Sequence, residues 1–124
     1  MIKLLLLEDD HVLAESLIEL LQSENFDIVH VVNSQGALNQ TFLQNFDLFL
    51  LDVNVPLFNG FELLKNLRDS GDKTPAIFLT ALNDIASLSK GFDVGADDYI
   101  KKPFDFDELI IRINAILKKQ YHTY

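Results

Sequence analysis

Short apolar runs alternate with stretches of helical spacing along the whole chain. Residues 2–7 (IKLLLL), 27–32 (DIVHVV), 47–51 (DLFLL), 75–79 (PAIFL) and 97–101 (DDYIK) have the length and apolar density of strands. The first run shows no polar alternation, which predicts a strand buried on both faces. Between the strands, apolar residues recur every three or four positions. Asp10 predicts an N-cap for a helix through about Glu24, with Leu13, Leu17, Leu20 and Leu21 on one face. Ser34 predicts the cap of a weaker helix to about Asn45. After a loop over 53–59 containing Pro56, Gly60 opens a helix to about Asp69, with Phe61, Leu64 and Leu67 inward. Residues 70–74 (SGDKT) read as a turn. A further helix starts at Asn83 or Asp84 and stops near Gly95. The last runs from Asp105 to about Lys119, with Leu109, Ile113, Ile116 and Leu117 on one stripe.

Five strands alternating with five helices imply an α/β fold with a parallel sheet covered on both faces. Right-handed crossovers then bring every strand C-terminus to one edge. Ligands of such sheets bind at that edge, near the topological switch point.

Bulk properties narrow the function. A length of 124 residues fits one domain, and 48% hydrophobic with 23% charged residues describes a globular chain. There is no cysteine, which excludes disulfide, thiolate and cysteine-zinc chemistry. His11, His30 and His122 show no metal-ligand spacing. A net charge of −9 opposes direct binding to nucleic acid or to an anionic membrane. The apolar start is too short for a signal peptide or a membrane span and ends at Glu8-Asp9-Asp10, so a cytoplasmic location is the expectation.

The polar residues that stand out all fall at strand C-termini. Glu8 and Asp9 follow the first strand, Asp52 the third, Thr80 the fourth and Lys102 the fifth. Carboxylates converging at one edge repel each other, and a divalent cation relieves that repulsion. All the candidate ligands are oxygens, which points to Mg²⁺ or a similar hard ion. Glu8 and Asp9 taken alone fit either a cation site or a helix-capping role, and Asp10 reads as a cap. Asp52 ends the run Leu48-Phe49-Leu50-Leu51, where it is half-desolvated. It could ligate a metal, attack phosphorus as a nucleophile, or cap its own turn. Thr80 alone reads as structural, and Lys102 alone as a solvated loop residue. A cis Lys102–Pro103 bond would aim the ammonium back across the strand ends. Together these residues supply a cation site, a nucleophile, a hydroxyl donor and a fixed positive charge. Phosphoryl transfer to a carboxylate needs those parts.

The segments LLLLEDD, DLFLLDVNVPLFNGFELL, FLTA and GADDYIKKPFDFDELIIRI, in this order and spacing, resemble a two-component response-regulator receiver domain over residues 2–119. The last segment resembles the OmpR/PhoB subfamily. The resemblance implies a doubly wound, flavodoxin/CheY-like sheet of order 2-1-3-4-5. It implies a receiver over 1–119, with 120–124 as a tail or the start of a linker to a DNA-binding output domain. Asp52 resembles the phosphorylated aspartate, Asp9 the direct Mg²⁺ ligand and Glu8 the acid acting through water. The backbone carbonyl of Asn54 would complete the protein ligands, and Thr80 and Lys102 would contact the phosphoryl group. Tyr99 resembles the switch aromatic that follows Thr80; otherwise it is a half-buried ring on the last strand. The implied partners are a sensor histidine kinase and, on activation, a second copy through the fourth helix, fifth strand and fifth helix. That face would include Leu88, Phe92, Asp98, Glu108, Ile111 and Arg112. Asp98 and Arg112 match one of the subfamily's interfacial charge pairs. Leu88 replaces the basic partner expected for Glu108, and Asn114 the partner expected for Asp93. Fewer salt bridges and more apolar contact are therefore expected. The phosphoryl lifetime would depend on the positions of Asn54 and Leu82. The expected role is stoichiometric phosphoryl acceptance rather than turnover catalysis.

Rival readings fit less well. A haloacid-dehalogenase-type phosphatase needs a second Asp two residues after its nucleophile, and Asn54 stands there. A flavodoxin-like flavin site needs a phosphate loop after the first strand, where Glu8-Asp9-Asp10 would repel phosphate. A receiver that is never phosphorylated, acting alone as an interaction module, is the remaining alternative.

Overall fold

A computed structural model describes residues 1–81 and 85–121. Its elements are β1 (Lys3–Leu7), α1 (His11–Ser23), β2 (Asp27–Val31), α2 (Ser34–Leu43), β3 (Leu48–Leu51), α3 (Gly60–Asp69), β4 (Ala76–Thr80), α4 (Ile85–Asp93), β5 (Asp98–Lys101) and α5 (Phe106–Tyr121). The five strands form one parallel sheet in the order β2-β1-β3-β4-β5. Fold class and strand order match the expectation. The expected start of the fourth helix, at Asn83 or Asp84, and the lifetime position Leu82 lie outside the described residues, as does the tail beyond Tyr121.

The unbroken apolar runs follow from burial on both sides. Leu4 and Leu6 of β1 point into one core with Leu17 of α1 and Leu109 and Ile113 of α5. Leu5 and Leu7 point the other way, into a core with Ala37 of α2 and Phe61 and Leu64 of α3. All four leucines are fully buried, each contributing about 1.5–3 kcal/mol of apolar burial. No helix among the described residues is long and apolar enough to cross a membrane.

Asp10 caps α1 as expected, accepting from the N–H groups of Val12 (3.0 Å) and Leu13 (3.2 Å). The expectation for α2 needs correction. Its N-cap is Asn33, whose side chain accepts from the Gly36 N–H at 2.7 Å, and Ser34 is the first helical residue. Both residue types cap well, so local sequence does not choose between them. The choice is tertiary, because the Ser34 hydroxyl is occupied by the β3–α3 loop. The helix ends at Leu43, two residues short of the expected limit.

That loop, residues 53–59, is tightly determined. Val53 accepts from the N–H groups of Val55 (3.1 Å) and Gly60 (2.9 Å). A Cβ at Gly60 would lie 2.4 Å from the Asp52 carbonyl oxygen, so only glycine lets α3 start against this backbone. Leu57 sits in the left-handed region at φ 81°, which for a non-glycine residue costs about 1–2 kcal/mol.

On the opposite side of the site, α4 lies over an aromatic cluster. Phe78 meets Phe61 at a ring-centroid distance of 5.0 Å and Tyr99 at 6.4 Å. The buried residue of α4 is Gly91, where a Cβ would come within 3.2–3.5 Å of all three rings.

Candidate functional site

The strand register sets the site. Leu7 pairs with Leu51, Leu51 with Phe78, and Thr80 with Lys101, so the C-terminal ends lie side by side. The hydrogen bonding runs on past the strands. The Asp52 N–H donates to Leu7 at 3.0 Å, and the Lys102 N–H to Thr80 at 2.8 Å. Glu8, Asp9, Asp52, Thr80 and Lys102 are thereby brought to one edge, where sequence reasoning put them.

Glu8, Asp9 and Asp52 each offer a carboxylate oxygen within 4.8 Å of the others. Glu8 and Asp52 are only 1% and 6% exposed, whereas Asp9 faces solvent. The Lys102 ammonium crosses the edge and donates to Glu8 Oε1 at 2.6 Å and to Asp52 Oδ2 at 3.1 Å. The second oxygen of each buried acid takes a backbone N–H. Glu8 Oε2 accepts from Asp10 at 3.1 Å, and Asp52 Oδ1 from Asn54 at 3.2 Å. The Lys102–Pro103 peptide is cis. Thr80 ends β4 fully buried.

One ammonium against three carboxylates leaves the cluster with excess negative charge. All the donors are hard oxygens and one acid stays open to solvent. This donor set suits a small divalent cation such as Mg²⁺, which keeps several of its waters. The acids could hold such an ion jointly with the Asn54 carbonyl.

Burial pushes the Glu8 carboxyl above its ordinary value. The Lys102 and Asp10 hydrogen bonds oppose this, and the Asp52 charge adds to it. Burial also works against the Lys102 ammonium, but Glu8 and Asp52 outweigh it and the pKa rises. A carboxyl raised in the folded state holds its proton more tightly there than in the unfolded chain. Its contribution to stability is therefore fully present below the ordinary value of 4.5 and is lost as pH rises through the raised folded value. Glu8→Gln copies the protonated form. It is expected to raise Tm at neutral pH without divalent cation, with the gain vanishing below about pH 4.5. Thermal melts in chelator at the two pH values check this, and equal neutral-pH midpoints would refute it.

Tyr99 is half-buried, its ring against Phe78 and Gly91. The residues expected on the dimer face lie on α4, β5 and α5. Leu88, Phe92 and Ile111 are 39%, 47% and 67% exposed. Arg112, however, meets its acids within the chain. It donates to Asp98 at 3.1 and 3.2 Å and to Glu108 at 3.0 and 3.1 Å.

Two residues were missed by sequence reasoning. His30 Nε2 donates to the Glu8 backbone carbonyl at 2.8 Å, bracing the first acid from β2. The Ser34 hydroxyl donates to the Pro56 carbonyl at 3.2 Å and accepts from the Phe58 N–H at 3.1 Å. Neither has a local signal, since each contact spans 22 or 24 residues.

Comparison with known proteins identifies the family and the fold. Residues 4–114 match the response regulator receiver domain. The transcriptional regulatory protein CrdR of Helicobacter pylori is 46% identical over 112 residues, 90% of this chain and 53% of that protein. The chain spans about half the length of the curated relatives it matches. The crystal structure of DrrB, a Thermotoga maritima OmpR/PhoB homologue, superposes with a TM-score of 0.87 at 31% identity, covering 97% of this chain and 54% of DrrB. The BeF3-activated DrrB receiver domain gives the same TM-score and identity, covering 95% of this chain and 98% of that one. With this match, the acidic edge and the 2-1-3-4-5 sheet, the chain belongs to the response-regulator receiver family, and OmpR/PhoB-type regulators are among its relatives.

Proposed function

We propose that Asp52 accepts a phosphoryl group from a sensor histidine kinase with the help of Mg²⁺. The observation that carries this reading is the Asp52 carboxylate itself. It is held almost buried at the strand edge, 3.1 Å from an ammonium and beside two further acids. A carboxylate oxygen attacks phosphorus, the bond from phosphorus to the kinase histidine breaks, and the leaving imidazole takes up a proton. Little covalent work is required of the protein, so positioning and charge neutralisation dominate. Glu8, Asp9, Asp52 and the Asn54 carbonyl are the residues that would hold the cation. Bound Mg²⁺ would neutralise charge on the phosphoryl oxygens. Lys102 shares its donors between the two buried acids and a phosphoryl oxygen, and the Thr80 hydroxyl serves another.

The chain then acts as a stoichiometric switch rather than a turnover enzyme. Thr80 and Tyr99 transmit the change to α4, β5 and α5. The output is control of a DNA-binding regulator, in a cytoplasmic protein whose receiver binds neither nucleic acid nor membrane itself. A groove of about 480 Å³ beside Lys102, lined by Val12, Leu13, Phe104 and Phe106 among others, supports docking of the kinase next to the acceptor. The exposed Leu88, Phe92 and Ile111 support a second copy binding through that face on activation. Arg112 is already engaged by Asp98 and Glu108 inside one chain, so this dimer is centred on apolar contact. Light scattering with beryllofluoride and Mg²⁺ is expected to show the dimer. A monomer at high concentration would exclude it.

The test of the main reading is intact-mass spectrometry after incubation with acetyl phosphate. One phosphoryl group per chain is expected with Mg²⁺ and none with chelator. No uptake in either condition would leave the interaction-module alternative standing.

A further inference from the structure

We propose that Ser34 is a positioning residue for the cation site, acting through the β3–α3 loop on the Asn54 carbonyl. The inference rests on the reading that Glu8, Asp9, Asp52 and Asn54 hold a hard cation.

Ser34 is fully buried at the first position of α2, on a different element from every residue of the site. Its hydroxyl is not used for capping, because Asn33 does that. Instead it donates to the carbonyl of Pro56 and accepts from the N–H of Phe58. Those two groups flank Leu57, a loop residue with φ 81° that is 72% exposed. A leucine in the left-handed region, with its side chain in water, has no packing of its own to keep it there. The hydroxyl holds the backbone on both sides of it.

Asn54 lies between this clamp and the acceptor. On one side its N–H donates to Asp52 Oδ1, and Val53 accepts from Val55 and Gly60. On the other side the chain enters the Ser34 clamp within two residues. Both ends of the 53–59 segment are thus fixed, which sets the direction of the Asn54 carbonyl. Without the hydroxyl, Leu57 can leave the left-handed region by rotating the peptides around it. The Pro56 carbonyl turns with it, the Val55 N–H to Val53 bond of 3.1 Å that orients the Asn54–Val55 peptide loses its support, and the Asn54 carbonyl samples several directions instead of one. A ligand that must be ordered on binding holds its ion more weakly than one already in place.

Ser34→Ala removes the oxygen and keeps the volume. Mg²⁺ titration followed by backbone amide shifts at residues 8–10 and 52–54 is expected to show affinity falling about tenfold, the low end of the range for loss of one outer-shell positioning contact. Hydrogen exchange at the Phe58 amide, measured without metal, is expected to speed up by at least about tenfold. Ser34→Cys, which places a weaker hydrogen-bonding group at the same point, is expected to fall between wild type and alanine. Leu67→Ala, buried in the last turn of α3 and without a hydrogen bond to the loop through its side chain, lowers Tm at least as much and is expected to keep wild-type Mg²⁺ affinity. Two results overturn the inference alone: Ser34→Ala binding Mg²⁺ as tightly as wild type, or Leu67→Ala weakening it equally. Wild type failing to take Mg²⁺ overturns the functional reading, and this inference with it.

Discussion

Replacing Asp52 by asparagine is expected to reduce phosphoryl uptake from acetyl phosphate by at least about a hundredfold, to background. The side chain keeps its shape, and the oxygen that accepts from the Asn54 N–H at 3.2 Å is retained. What is lost is the nucleophile, because an amide does not form the acyl phosphate. The fold should survive. Asp52 is one of three clustered acids, and removing its charge lessens repulsion with Glu8, which already raises the Glu8 pKa. A Tm at or above that of wild type in chelator would show that lost uptake is chemical and not a folding defect. Persistent labelling in Asp52→Asn would move the acceptor elsewhere, with Asp9 as the solvent-facing candidate.

Lys102→Met is expected to lower stability by about 2–3 kcal/mol in the absence of divalent cation. That is roughly 10 °C in Tm for a domain of this size. The ammonium makes ion pairs of 2.6 Å and 3.1 Å with two acids whose side chains are 1% and 9% exposed. Without it, two nearly buried carboxylates face each other with no positive partner. Uptake of a proton by Glu8, whose pKa burial already raises, limits the cost. Added Mg²⁺ should therefore raise Tm more in Lys102→Met than in wild type, since it takes over the neutralising role. Thermal melts across a Mg²⁺ series test this. If wild type and variant melted alike and responded alike to the ion, Lys102 would not be the internal counter-charge.

The parts of the molecule that were legible in the sequence are set by local pattern or by the topology which that pattern implies. The leucines of β1 and β3 lack polar alternation because helices cover both faces, and their burial follows from that alone. Asp10 caps α1 through groups two and three residues on. The acidic edge followed from topology, since parallel strands with right-handed crossovers end on one side. Residues whose roles depend on distant partners were not legible. Ser34 and Asn33 are both good caps, and only the approach of Pro56 and Phe58 decides which is used. His30 was set aside for want of metal-ligand spacing, yet it supports Glu8 through a backbone carbonyl. Arg112, matched to an interfacial charge pair, also has partners within the chain, through its i,i+4 spacing to Glu108 and the nearness of Asp98 on β5.

The glycine of α4 carries a consequence for how that helix can travel. Gly91 fits into a notch formed by Phe61, Phe78 and Tyr99, and it is the buried residue of Ile85–Asp93. The helix is keyed to the sheet by shape, and none of its apolar side chains is fully buried: Ile85, Leu88 and Phe92 are 82%, 39% and 47% exposed. Rolling about its own axis would drive Lys90 or Phe92 into a gap where even a methyl group would make the rings give way by a few tenths of an ångström. Lifting straight off meets no such obstacle, and it forfeits the partial burial of Leu88 and Phe92 and the Lys90 contact with the Phe61 ring at 5.4 Å. For any displacement of α4, the notch therefore opposes rolling more than outward movement.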